Sequence, residues 1–196
     1  RFDAIRGNIS EIKTLASLCG TQEKNSGNMA VSDTMDVEKI TDKSDHCGKI
    51  TGIDGSGRGV DADNADTVTE ENLAQHISNA KMLSKKLQTI VAITGAIDLV
   101  TDGSSCYVIR NGNPQMGHVT GGGCQLSGIL TAFLAANPEN KLQAAAAAVC
   151  MMGYAGELAA EKSGQSGSGT YRVSLMDAVS CMDGDILERG ARYEIR

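Results

Sequence analysis

The residues with the clearest chemical potential lie at Thr120–Cys124 (TGGGC). Gly121, Gly122 and Gly123 stand between a segment read as β and Gln125–Ala136, whose spacing is helical. Glycines in that position let the backbone approach a ligand closely and turn several N–H groups one way. A helix N-terminus adds the attraction of its dipole for an anion. The same three residues also suit a plain tight turn. Cys124 follows in the first helical turn, where a thiol can give up its proton more readily than in free solution. Such a residue beside an anion cradle could accept a proton from a hydroxyl. It could equally be a small apolar residue facing the core.

A second constellation opens the chain. Asn8-x-x-Glu11 begins a helix predicted over Asn8–Cys19, with Ile12, Leu15, Ala16 and Cys19 on one face. Asn at the cap and Glu three residues later form a capping box, and the same oxygens lie where a cation could be held. Arg6 precedes them. Thr94 ends Thr89–Thr94 (TIVAIT), a short β-branched run of the kind found in parallel strands buried on both faces. Ligands gather at such strand ends, although a threonine there also makes an ordinary turn.

Further elements must position these groups. Thr69 is predicted to cap a helix running to Leu87, with Leu73, Ile77, Ala80, Leu83 and Leu87 inward. Cys106–Arg110 reads as a strand, and Asn111-Gly112 as a hairpin turn returning a strand toward Val119. Asn137-Pro138 ends the helix after the glycine loop. Lys141–Glu161 reads as a close-packed helix, Gly164–Gly169 as a loop, and Tyr171–Met182 as a last helix with Val173, Met176, Val179 and Met182 on its apolar side. Alternating helices and buried strands predict an α/β fold. The stretch 21–52 is rich in turn formers and reads as a surface insertion.

The 196 residues amount to one domain or most of one. Net charge is −6, no Lys/Arg run occurs, and aromatics are only 3%, which disfavours nucleic-acid binding. The six cysteines include no C-x-x-C pair, so a reducing cytoplasm is the simplest setting. His46-Cys47 with Cys19 offers too few ligands for zinc, and His118 receives no role. The longest apolar stretch, around Leu142–Met152, is too short to span a bilayer, and no signal peptide opens the chain.

The order of motifs resembles the hydroxyethylthiazole kinases of the ribokinase-like family: AIRGNISEI at Ala4–Ile12, IVAITGAIDLVTDG at Ile90–Gly103, the Asn-Gly pair, and HVTGGGCQLS at His118–Ser127. GYAGELAAE at Gly153–Glu161 and SGSGTY at Ser166–Tyr171 match in kind and order. The resemblance covers nearly the whole chain apart from 21–52. It implies a three-layer α/β/α fold with a mostly parallel sheet and an ATP-dependent kinase of the hydroxyl of 4-methyl-5-(2-hydroxyethyl)thiazole in thiamine salvage. It also implies Mg²⁺, a cytoplasmic homotrimer, and no nucleic-acid or membrane partner. Residue by residue, it implies ATP contacts from Arg6 and Thr94 and Mg²⁺ held near Glu11 and Asn8. It places Gly121 beside the substrate, an anion hole at Gly121–Gly123, and Cys124 as the catalytic residue. Most ribokinase-like kinases have Asp where Cys124 stands; cysteine is characteristic of the thiazole branch.

The chain departs from the family in two ways. The family carries a sizeable part with early sheet strands ahead of AIRGN, so a chain opening at Arg1-Phe2 reads as a fragment or processed piece, the C-terminal part of a kinase domain. The glycine loop reads GGG where Gly-Ala-Gly or Gly-Thr-Gly is usual. Two other expectations compete with the thiazole kinase: another ribokinase-like kinase of a small alcohol, or a non-catalytic fragment of one.

Overall fold

Apolar residues alternate or run continuously through five short strands, and a computed structural model of the chain, describing residues 2–20 and 67–196, assembles them into one sheet. Its strands are β1 (Ala4–Asn8), β2 (Ile90–Thr94), β3 (Asp98–Thr101), β4 (Cys106–Ile109) and β5 (Tyr193–Ile195), in the order β1-β2-β3-β4-β5. β1 and β2 are parallel, with Asn8 opposite Thr94. The remaining pairings are antiparallel. The expectation of a mostly parallel sheet is therefore corrected for the described strands. Gly95–Ile97 is the whole link from β2 to β3, and a parallel crossover needs about a dozen residues or more.

The two-residue period of the strands divides the molecule into layers. Ile5 in β1, Val91 and Ile93 in β2, Leu99 in β3 and Val108 in β4 face α1 (Ile9–Leu18) and α2 (Leu73–Leu87). Ala4, Ile90, Ala92, Val100 and Ile109 face α3 (Gly122–Ala136), α4 (Lys141–Ser163) and α5 (Ser168–Ser180). A short α6 (Gly184–Gly190) leads into β5. Helices on both faces of the sheet give the α/β/α layering. α4 fits the sheet through small residues. A Cβ on Gly153 would come within 2.7 Å of Asn111, so this helix turn and the end of β4 touch backbone to backbone.

Several local expectations change. Asn111-Gly112 turns no hairpin: Pro114–His118 is a 3₁₀ helix containing His118, and β4 pairs instead with β3 and β5. The Asn111 side chain donates to Gly190 O at 2.8 Å and accepts the Arg192 amide at 2.7 Å, locking the C-terminal strand onto the sheet. Thr69 does not cap α2; its amide donates to Asn72, and the helix starts at Leu73. In α5 the inward residues are Tyr171, Ser174 and Leu175, while Val173 and Met176 are exposed. Helix α4 spans 23 residues, long and apolar enough by length and composition to cross a membrane, but 72% of its apolar window is buried as a core helix. The insertion read at 21–52, and His46-Cys47 within it, lie outside the described residues.

Candidate active site

β1 ends by sending alternate side chains to opposite layers. Arg6 shares the face of Ala4, and Thr94 shares that of Ile90 and Ala92, so both point toward α3 and α4. There Arg6 becomes a hub. Its Nη2 donates to Thr94 Oγ1 at 3.2 Å, and its Nη1 donates to Gly123 O at 3.2 Å and reaches Ser127 Oγ at 3.5 Å. Ser127 Oγ in turn donates to Gly123 O at 3.1 Å. One guanidinium, 88 residues from Thr94 and 117 from Gly123 in sequence, thus ties the strand end to the head of α3.

The glycine loop caps that helix. Gly121 is the N-cap with φ 91°, a left-handed conformation that strains any side chain. Gly122 faces open space. A Cβ on Gly123 would lie 2.9–3.3 Å from the Arg6 guanidinium, so a side chain there would have to displace Arg6. The Gly122 amide makes a long bond back to Val119 O at 3.4 Å. The Gly123 and Cys124 amides fall in the first turn, which has no carbonyl one turn behind it. The Gly123 and Cys124 amides are thus left over by the helix's own bonding. Cys124 is exposed, which answers the alternative of a core-facing cysteine.

Asn8 and Glu11 form the capping box. Asn8 Oδ1 accepts the Glu11 amide at 2.8 Å, and Glu11 Oε2 accepts the Asn8 amide at 2.7 Å. Gly7 gives the carboxylate room to fold back: a Cβ there would sit 3.0 Å from Oε2. Through the β1–β2 register Asn8 lies opposite Thr94. No bond joins Glu11 to the Arg6 hub. Among the described residues no group of three or more His, Cys, Asp or Glu could hold a metal by itself. A carboxylate has lone pairs to spare after one amide bond. Mg²⁺ commonly takes one or two carboxylates and completes its shell with phosphate oxygens and water. Glu11 fits that pattern. Asn8→Ala should lower stability by about 1 kcal/mol through loss of the cap. Denaturant unfolding checks this, and an unchanged midpoint would mean that the box contributes nothing to the helix.

Two neighbours of the hub carried no signal that was used in the sequence. Ser127 stands four residues after Gly123 and so rises over it on the helix. Asp98 opens β3 on the face of Val100. It is buried, and its Oδ1 accepts the Gly95 amide at 2.8 Å. Burial pushes this carboxyl up to about 7, against the opposing pull of the Gly95 amide and Arg6.

Comparison with known proteins identifies the family. A family model described as the hydroxyethylthiazole kinase family matches residues 31–185, a span that contains Thr94 and the glycine loop. Hydroxyethylthiazole kinase of Clostridium acetobutylicum is 40% identical over 99% of this chain and 59% of its own length. That of Methanobrevibacter smithii is 32% identical over 100% of this chain and 58% of its own. The structure of the hydroxyethylthiazole kinase protein from Pyrococcus horikoshii superposes with a TM-score of 0.58 at 28% identity, covering 65% of this chain and 48% of that one. The chain thus spans between half and three fifths of the length of the curated relatives it matches. With its layers, its glycine-capped helix and the Arg6 hub in this company, the chain belongs to the hydroxyethylthiazole kinase family.

Proposed function

We propose that the protein transfers the γ-phosphoryl group of ATP to the hydroxyl of 4-methyl-5-(2-hydroxyethyl)thiazole. The observation that carries this reading is the convergence of Arg6, Thr94 and Gly123 at the head of a helix whose next residue is an exposed cysteine. Phosphoryl transfer needs positioned donors and charge stabilisation more than covalent chemistry. Arg6 and Thr94 contact ATP. Gly121 lies beside the thiazole alcohol, and the loop Gly121–Gly123, with its forward amides at Gly123 and Cys124, holds the moving phosphoryl oxygens. The alcohol oxygen bonds to the γ-phosphorus as the bond to the β–γ bridging oxygen breaks, and the hydroxyl proton passes to Cys124 acting as a thiolate, which becomes a neutral thiol. Glu11, with Asn8, would hold Mg²⁺, which would supply charge neutralisation at the phosphates.

The assembly is a homotrimer in the cytoplasm. Free thiols at Cys19, Cys106, Cys124, Cys150 and Cys181 suit a reducing compartment. The test is incubation of the full-length protein with ATP, Mg²⁺ and a panel of small alcohols, followed by mass spectrometry. Formation of ADP with an equal amount of thiazole phosphate is the expected result. Preferential phosphorylation of a pyrimidine, pyridoxal or sugar alcohol would replace the acceptor, and no transfer to any alcohol would refute the kinase.

A further inference from the structure

Asp98 is a buried carboxylate at the edge of the site with no part in the chemistry above. It lies at the start of β3, on the same face of the sheet as Arg6 and Thr94. Its carboxylate closes the three-residue link between β2 and β3 by accepting the Gly95 amide at 2.8 Å. That link directly follows Thr94, whose hydroxyl accepts from Arg6. From β1, the charged group facing Asp98 is Arg6. From α4 the facing titratable group is Cys150, a thiol pushed up to about 12 by burial and by Asp98 itself, and therefore neutral. Arg6 is thus the only cation acting on Asp98 among the described residues, and Asp98 feels whatever Arg6 binds.

We propose that Asp98 is a positioning residue of the nucleotide side of this site: its carboxylate orders the Thr94–Gly95 turn through the Gly95 amide, and its charge offsets the attraction of Arg6 for an anionic phosphate. The inference rests on the kinase reading for the identity of the anion. It has two separable parts. The amide bond fixes Thr94, and an asparagine, which keeps an acceptor oxygen, preserves that. The charge opposes a second anion brought to Arg6, and an asparagine abolishes that. With a carboxyl pushed up to about 7, the charge is present above that pH and absent below it. Wild type should therefore resemble Asp98→Asn in acid and diverge from it in base.

The experiment is ATP binding by calorimetry at pH 6 and pH 8 with the full-length wild type, Asp98→Asn and Asp98→Ala. Comparing variants at one pH cancels the ionisation of ATP itself. At pH 6 wild type and Asp98→Asn should bind alike. At pH 8 the Asn variant should bind roughly three- to ten-fold more tightly, the size of effect expected for a nearby charge partly screened by protein and water. Asp98→Ala, neutral but without the acceptor, should bind more weakly than Asp98→Asn at both pH values. A wild-type to Asn ratio that does not change with pH overturns the charge part, and equal binding by the Ala and Asn variants overturns the turn part. Wild type that binds no ATP at either pH brings down the kinase reading and the proposal with it, whereas ATP binding with none of these differences brings down the proposal alone.

Discussion

Gly123→Ala should lower kcat/KM for ATP by about 10²-fold, the scale on which displacement of a positioning group by about 1 Å is felt. The added methyl would lie 2.9–3.3 Å from Nη1, Nη2 and Cζ of Arg6. Those are the far atoms of a flexible side chain, so the clash is relieved by moving Arg6 rather than the helix. The cost to folding is then small. Alanine even favours a helix over glycine by about 1 kcal/mol. The cost to function is large, because Arg6 leaves Thr94 Oγ1 and Gly123 O together. Gly122→Ala is the matched control. Its Cβ meets nothing within 4 Å, and alanine or threonine at that place is the usual form of the motif. It should keep activity within about two-fold and gain up to about 1 kcal/mol of stability. Steady-state kinetics and thermal melts of the full-length variants decide the matter. Activity of Gly123→Ala within three-fold of wild type would mean that Arg6 does not need its observed position.

Much of this was legible in the sequence because it is local. A capping box is a spacing of three, and Asn8 with Glu11 forms both of its bonds. The face of α2 follows from Leu73, Ile77, Ala80 and Leu83 at helical spacing, and all four are buried. The glycine-capped helix follows from residue type alone. What escaped is non-local. β3 is four residues long, and β5 is three, too short for a period to show, and each exists because β4 offers it an edge. Asn111-Gly112 is a hairpin signal by composition, yet the Asn111 side chain spends its bonds on Gly190 and Arg192, eighty residues onward. Helix α5 misled for a different reason. Val173 and Met176 are more apolar than Ser174, but Tyr171 and Leu175 decide the inward face. The Tyr171 hydroxyl donates to Gly156 O at 3.0 Å, which lets a polar tip be buried. The Arg6 hub joins positions 6, 94 and 123. Only the resemblance to the family suggested that these residues meet; Asp98 and Ser127 lie within its motifs, but nothing in their spacing assigned them a role.

Cys124 carries the other large expected effect. Cys124→Ala should lower turnover by about 10²–10⁴-fold, the usual contribution of a general base, while ATP affinity changes little. Arg6 and Thr94 hold the nucleotide in the present reading, and neither depends on the cysteine side chain. Cys124→Asp should retain substantial activity. A carboxylate shares with a thiolate the capacity to accept a proton, and aspartate occupies this position in most ribokinase-like kinases. The geometry allows the exchange: residue 124 is exposed in the first turn of α3, where an acidic side chain also suits the positive end of the helix. The sulfur is therefore expected to act through proton acceptance, with the alcohol oxygen alone attacking phosphorus. Full kinetics of both variants in the full-length protein, together with mass spectrometry of the wild type during turnover, separate the possibilities. Wild-type turnover by Cys124→Ala would reduce the residue to packing at a helix start. A phosphorylated cysteine trapped during turnover would replace direct transfer with a two-step route, and in that case Cys124→Asp should fail to restore the thiol's role as nucleophile.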